Sequence, residues 1–150
     1  MNLPDFVGEH SPYYFLLLLV MVGVQLQAVT IGCLFFYKQS GSRLSNVFLG
    51  LLLLLFAATL LHYTLIYTGL YRRYEQLHFL PVYFTLSLPV LLFFHLKLLL
   101  FPAYRLRWTD AKHFLLPLGQ LCYFLWAFLS KEKFDAALGR EAYNPFYGAL

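Results

Sequence analysis

Four long apolar stretches, separated by short polar or basic connections, dominate the sequence between residues 13 and 129. Each is about as long as a helix must be to cross the hydrocarbon core of a bilayer, roughly 20 residues. Residues 51–56 and 114–118 are apolar all round, which is typical of helices that face lipid or are buried on every side. The pattern predicts an all-α, polytopic membrane helical bundle with four transmembrane helices, at residues 13–37, 44–71, 77–101 and 113–129.

Composition agrees with this interpretation. Hydrophobic residues make up 61% of the 150-residue chain and charged residues 12%, against roughly 25% charged residues in ordinary soluble domains. Four spans leave no stretch long enough for a soluble domain, which needs at least about 50 residues. We therefore expect a four-helix transmembrane domain over residues 1–129, with the lipid bilayer as its main partner. Residues 130–150 are expected to form a short amphipathic or irregular tail.

Basic residues indicate the orientation of the chain. No lysine or arginine precedes the first apolar stretch, whereas Lys38 and Arg43 follow it. Short cytoplasmic loops are rich in lysine and arginine, so the N-terminus is expected outside a multi-pass protein of the inner (cytoplasmic) membrane. Arg72 and Arg73 would then lie outside and count against this orientation. The third connection carries Tyr104 and Trp108 among its arginines, and is expected to lie along the membrane surface.

Histidines in apolar stretches are the first candidates for chemistry, because an ionisable side chain is costly within a bilayer. Haem bound between two histidines would need a pair at one depth on facing helices. His62 with His78 and His95 with His113 satisfy that condition by position. A small haem-binding electron-transfer protein therefore stays open as an alternative, although snorkelling to the membrane interface or hydrogen bonding to a neighbouring helix is the more usual role of such histidines.

Polar and small residues in the first stretch recur on one helical face at Gly23, Gln27 and Thr30. In lipid such a face is expected to turn towards protein, where backbones approach closely and an amide finds a partner. Either it packs against another helix or it lines a site for an apolar or amphiphilic signal. Gln25 points elsewhere.

Prolines are expected to break two of the helices. Pro89, placed in the middle of the third span, would free the carbonyl of Thr85 and kink the helix. Pro117 would do the same at the carbonyl of His113. These features complete the set of candidate residues. The candidates for ligand or signal binding are Gln27, Thr30, His62, Thr85 and His95, and the expected helix kinks are at Pro89 and Pro117.

Catalytic patterns are missing from the sequence. Asp110 is the single acidic residue between Glu75 and Glu132, so no paired-carboxylate site can form there. Nucleophile triads, phosphate-binding glycine loops and zinc spacings are absent as well. We predict that the chain is not an enzyme and holds no metal or resident cofactor.

Several segments resemble the N-terminal membrane sensor region of bacterial AraC-type transcriptional regulators. The sequence RLSNVFLGLL (43–52) is similar to that family's loop and second helix, and LLHYTL (60–65) continues the likeness. PVLLFFHLK (89–97) resembles the family's GPLLYFYVK segment, with Leu88 in place of glycine and His95 in place of tyrosine. KHFLLP (112–117) resembles the family's LLHFLP entry to the next helix. The resemblance implies an input module that passes a helix rearrangement to a cytoplasmic DNA-binding domain.

The helix-turn-helix domain of that family is absent from this chain, so direct nucleic-acid binding is not expected. The apolar residues 146–150 are typical of the approach to a further helix, which favours a truncated chain over a stand-alone partner. The predicted function is the input part of a membrane-bound transcriptional regulator. Alternatives are the haem protein and a structural subunit of a membrane complex, with a second copy or another membrane subunit as partner.

Overall fold

The computed structural model describes residues 12–37, 42–74, 77 and 80–129, and every regular secondary-structure element in this part of the chain is a helix. The predicted tail at 130–150 and His78 lie outside the described residues. The helices are α1 (Pro12–Tyr37), α2 (Arg43–Tyr67), α3 (Leu70–Arg73), α4 (Ser87–Leu100) and α5 (Leu115–Leu129), with a 3-10 helix (Trp108–Phe114) before α5.

Two helices, α1 and α2, are long and apolar enough to cross a membrane, with 26 and 25 residues. They correspond to the first two predicted spans. The predicted second span ran to residue 71, but α2 ends at Tyr67. Thr68 donates from its hydroxyl to the carbonyl of Thr64, 2.8 Å away, and Gly69 takes a left-handed conformation with φ of 69°. Glycine adopts that conformation without strain, so the chain turns there and α3 begins.

The predicted third span is wrong in its first half, because α4 begins at Ser87 and residues 80–86 are not helical. Pro81 disfavours helical backbone at Leu80 before it. Pro89 is the third residue of α4, where a backbone N–H has no partner within the helix anyway. The predicted mid-span kink at Pro89 is therefore wrong.

The fourth predicted span, 113–129, divides into two kinds of helix. The 3-10 helix ends at Phe114, and α5 begins with the N–H of Leu115 bonded to the carbonyl of Lys112. Pro117 follows in the first turn of α5 and cannot donate to the carbonyl of His113. The expected kink within a helix is replaced by a change of helix type just before the proline.

Helix α2 lies between α1 and α4 and packs against both. Against α1 the closest approach is at two glycines: a Cβ atom added to Gly50 would lie 2.9 Å from the carbonyl oxygen of Gly32. The residues of α1 that are buried or half-buried follow a spacing of three and four, which is the spacing of one helical face. They are Tyr14, Leu18, Met21, Gln25, Ala28, Gly32 and Phe35, with Phe15 half-buried beside Tyr14.

Against α4 the contact is an aromatic and aliphatic core. Phe94 is fully buried, and its ring lies 5.5 Å from that of Phe48 and 5.3 Å from that of Phe114. Leu91 and Leu98 complete the cluster. This core joins α2, α4 and the 3-10 helix at the end of the molecule where α2 begins.

Candidate functional site

Polar side chains are concentrated on the buried side of α2. Of the eight buried residues of this helix, five are polar: Ser45, Asn46, Thr59, His62 and Thr64. Large apolar side chains point outward instead, including Leu116 at 72% exposure and Leu99 at 57%. Polar side chains buried beneath an apolar surface, beside the apolar core around Phe94, differ from the arrangement in a water-soluble protein, in which polar groups stay mostly at the surface.

One group of these polar contacts surrounds the non-helical residues 80–86. We call it the polar centre and define it as the side chains of Thr59, His62, Tyr71, Tyr83, Thr85 and Gln120 together with the backbone N–H groups of Phe84 and Leu86.

Two side chains from different helices satisfy backbone groups of the irregular segment. The N–H of Phe84 donates to Oγ1 of Thr59 over 3.1 Å, while the same hydroxyl donates to the carbonyl of Leu55 in its own helix over 2.9 Å. The N–H of Leu86 donates to Oε1 of Gln120 over 3.2 Å. The bond to Phe84 is partly buried and the bond to Leu86 is exposed, and together they tie the segment to α2 and α5.

Aromatic side chains enclose His62, which is 1% exposed. Nδ1 of His62 and the hydroxyl of Tyr71 share a hydrogen bond of 2.9 Å. The ring of Tyr83 lies 5.1 Å from the imidazole and 6.0 Å from the ring of Phe124 on α5. The imidazole thus links α2, α3 and the irregular segment.

Of the five residues predicted to bind a ligand or signal, the structure brings His62 and Thr85 into the polar centre. Thr85 accepts from Nε2 of Gln120 over 3.5 Å. His95 lies elsewhere, at the α2–α4 contact, where its Nδ1 is 2.9 Å from both Oγ and the carbonyl oxygen of Ser45. The Ser45 hydroxyl in turn donates to the carbonyl of His95 over 3.1 Å, so this pair fastens the two helices.

Gln27 and Thr30 are exposed on the outer surface of α1, so the prediction that their face turns towards protein is wrong. Thr30 donates to the carbonyl of Leu26 within its own helix, and Gly23 has no atom near the position of a Cβ. The buried amide belongs instead to Gln25, whose Nε2 donates to Oγ1 of Thr64 over 2.6 Å. Successive helical residues are about 100° apart, so a shift of two positions selects nearly the opposite face.

Haem ligation by His95 and His113 finds no support in these contacts. His95 is bonded to Ser45, whereas His113 is exposed and lies with its ring 5.8 Å from that of Phe93. The other proposed pair includes His78, outside the described residues. In the described part of the chain, no three His, Cys, Asp or Glu side chains come together as a metal site would require.

Sequence reasoning missed Thr59, Tyr71, Tyr83 and Gln120. Two of them carried a usable indication: Thr59 lies three residues before His62 on one face of α2, and Gln120 is an isolated amide in an apolar stretch. Tyr71 and Tyr83 carried none, because they flank a segment whose non-helical path the pattern did not predict. Comparison with known proteins adds no further indication, since no family model, curated protein or solved structure matches the chain.

Proposed function

We propose that the chain is an integral protein of the inner membrane with four spans, and that it forms the input part of a membrane-bound transcriptional regulator. The observation that carries the membrane proposal is the reversed polarity of the molecule. Apolar side chains face outward while Thr59, His62 and Thr64 are buried. In lipid this arrangement places the apolar surface in its preferred solvent and keeps polar groups bonded inside.

The short helix α4 is compatible with a third crossing only if residues 80–86 contribute to it. Its 14 residues extend about 21 Å at 1.5 Å per residue, less than the roughly 30 Å of a hydrocarbon core. Non-helical backbone is tolerated at that depth when protein surrounds it and satisfies its polar groups. Thr59 and Gln120 supply such partners to the segment.

The fourth crossing has sufficient length. The 15 residues of α5 extend about 22 Å, and the seven residues of the 3-10 helix add about 14 Å. Four crossings with the N-terminus outside place the connection between α4 and α5 on the cytoplasmic side.

Topology mapping tests this proposal at one decisive position. Ala103 is exposed in that connection, and four spans place it inside, whereas a protein crossing only with α1 and α2 would carry it outside. The test variant carries Ala103→Cys in a background in which Cys33 and Cys122 are replaced by serine. Its single thiol is expected to resist an impermeant thiol reagent in intact cells and to react after the cells are permeabilised. Ser130→Cys provides the matched control, since its expected location is outside. Labelling of both Ala103→Cys and Ser130→Cys in intact cells would exclude the four-span arrangement, whereas labelling of Ala103→Cys alone would reverse the proposed orientation.

The input role is supported by the polar centre and by the resemblance of residues 43–52 and 89–97 to membrane sensor regions. Interrupted helices whose free backbone groups are held by side chains are common where membrane proteins bind a ligand. At the polar centre a signal could exchange for the Thr59 or Gln120 hydrogen bonds and release the irregular segment. Such a change would move α4 relative to α2 and thereby alter an attached domain.

A reporter fusion tests the input role. The chain is fused to a DNA-binding domain whose output depends on its membrane input, and transcription is compared between the parent, Gln120→Leu and Thr30→Ala. Gln120→Leu is expected to shift the output at equal protein level, whereas Thr30→Ala, on the outer surface, is expected to leave it unchanged. Equal output from all three fusions, with membrane insertion intact, would contradict the input role.

A further inference from the structure

The connection between α4 and α5 presents basic and aromatic side chains while it withdraws its acidic one. We propose that Arg105, Arg107, Trp108 and Lys112 form a surface that binds the head groups of anionic phospholipids in preference to zwitterionic ones. This inference rests on the proposed membrane embedding and adds a specific lipid class to it. We call these four residues the basic surface.

Asp110 is the single acidic residue of the connection, and its contacts point inward. Its Oδ2 accepts from the hydroxyl of Tyr104 over 2.6 Å and from the N–H of Arg107 over 2.8 Å. Its Oδ1 lies 3.7 Å from Nζ of Lys97, and 11% of the Asp110 side chain is exposed. The carboxylate therefore neutralises Lys97 and caps the 3-10 helix, and among the residues that the structure describes it leaves no exposed acid beside the basic surface.

The residues of the basic surface are all exposed, and Trp108 is exposed to 93%. Lys97, by contrast, is occupied: its ammonium lies 3.9 Å from the centre of the Tyr104 ring as well as beside Asp110. Within residues 12–37, 42–74, 77 and 80–129, no acidic side chain pairs with these three positive charges, which are available to a partner outside the molecule. The internal contacts of Arg107 and Lys112 within the connection are made by their backbone groups.

Anionic phospholipid fits this surface better than a zwitterionic head group does. Arginine forms paired hydrogen bonds with phosphate oxygens, and indole rings prefer the head-group level of a bilayer. A net negative lipid surface attracts each nearby lysine or arginine, which strengthens association by about fivefold for each residue. The four residues fall within one stretch of eight positions, 105–112, which begins in the non-helical part of the connection and continues into the 3-10 helix.

Fluorescence quenching by brominated lipids tests the proposal, because the chain has two tryptophans, Trp108 and Trp126. The full-length Trp126→Phe protein reports on Trp108 alone. It is reconstituted in bilayers of phosphatidylcholine with a minor fraction of phosphatidylglycerol, and either the one lipid or the other is brominated. Brominated phosphatidylglycerol is expected to quench Trp108 several-fold more strongly than its share of the bilayer would give, and the excess is expected to disappear in high salt.

Charge variants identify the residues responsible. Arg105→Gln, Arg107→Gln and Lys112→Gln combined are expected to abolish the excess quenching by phosphatidylglycerol. The matched control combines Lys131→Gln, Lys133→Gln and Arg140→Gln, which removes the same charge from the tail and should retain the excess. Quenching proportional to lipid composition in the Trp126→Phe protein, or equal losses in both triple variants, would overturn the proposal.

The second tryptophan separates this inference from the proposed membrane embedding. In the Trp108→Phe protein, Trp126 of α5 is expected to be quenched by lipid brominated in the acyl chains, whether that lipid is phosphatidylcholine or phosphatidylglycerol. Quenching of Trp126 without any lipid preference at Trp108 would refute the anionic-lipid surface alone. Absence of quenching at Trp126 would count against the embedding of α5 itself.

Discussion

Two glutamines, two positions apart on α1, have opposite environments. The amide of Gln25 donates to Thr64 on α2, whereas Gln27 is exposed and makes no hydrogen bond to the part of the chain that the structure describes. A polar side chain in lipid is unfavourable unless a partner satisfies it. The two residues therefore form a matched pair for measuring what an interhelical hydrogen bond contributes.

Gln25→Leu is expected to lower the free energy of unfolding by about 0.5–1.7 kcal/mol, the range measured for hydrogen bonds between membrane helices. Gln27→Leu is expected to leave it unchanged or raise it, because leucine is preferred at a lipid-facing position. Unfolding with a denaturing detergent in mixed micelles measures both variants under the same conditions. A loss for Gln27→Leu as large as that for Gln25→Leu would show that the outer face of α1 has its own partner.

Asp110 is the residue for which the structure predicts a pH dependence. Hydrogen bonds from the Tyr104 hydroxyl and the Arg107 N–H, together with the charge of Lys97, hold the pKa of its carboxyl below the ordinary value of 3.8. The ionised form is thus favoured in the folded connection. Its stabilising effect is complete above about pH 4 and is lost as the pH falls through the lowered pKa.

Acid titration of the Trp126→Phe protein measures this effect through the emission of Trp108, which is two residues away. The change in emission is expected to have its midpoint below pH 3.8, because Asp110 must be protonated before its contacts weaken. Asp110→Asn cannot ionise and should not show the transition. A transition centred above that pH, or one that persists in Asp110→Asn, would contradict the assignment.

The contact of α1 with α2 depends on the close approach of two helix backbones. A Cβ on Gly50 would meet the carbonyl oxygen of Gly32 at 2.9 Å and the ring of Phe36 at 3.0 Å, whereas a Cβ on Gly23 would meet nothing within 4 Å. Helices in lipid gain stability from such close packing, since no hydrophobic force drives them together. The position of these glycines therefore sets which faces of α1 and α2 meet.

Gly50→Ala is expected to destabilise the protein by about 1–3 kcal/mol, because the obstructing atom is backbone and the helices must separate. Gly23→Ala is expected to be neutral or stabilising, by up to about 1 kcal/mol, since alanine is the better helix former. The same detergent unfolding measurement compares the two. Equal stabilities would mean that the helices do not cross at this point.

At the scale of the whole molecule, one buried ring joins three elements. Phe94 of α4 stacks on Phe48 of α2 and on Phe114 of the 3-10 helix, whereas its neighbour Phe93 is 47% exposed. In a membrane protein the removal of such a ring costs packing but little transfer free energy, because lipid is as apolar as the core. Phe94 should therefore matter through the cavity that its loss creates.

Phe94→Ala is expected to lower the free energy of unfolding by about 2 kcal/mol. This loss is smaller than the roughly 3–5 kcal/mol that is typical of soluble cores. Phe93→Ala is expected to lower the free energy of unfolding by less than about 1 kcal/mol, since about half of the Phe93 surface is already exposed. Unfolding free energies measure the loss of stability. The thiol reactivity of Ser45→Cys, at a buried position of the α2–α4 contact, measures how far the core opens. Comparable losses in both variants would indicate that the two rings contribute equally to packing.

The sequence by itself determined the helical class, because apolar runs of this length and composition leave few alternatives to helices that bury their own backbone groups. It also located α1 and α2 to within a few residues and indicated His62 and Thr85. It could not determine which face of α1 packs, since a helix that is apolar on nearly all sides has no periodicity to mark one. The close approach of Gly32 and Gly50 decided that, and with it the choice of Gln25 over Gln27.

The start of α4 depends on both local sequence and tertiary structure. Apolar residues from 77 onward favoured a helix, and Pro81 and Pro89 disfavour its early start, but the conformation of the segment 80–86 is held by Thr59 and Gln120. These residues lie more than 20 positions away on either side, so no local pattern could reveal them. The pattern of apolar residues along the chain specified its helices, and contacts between distant side chains hold the polar centre that precedes α4.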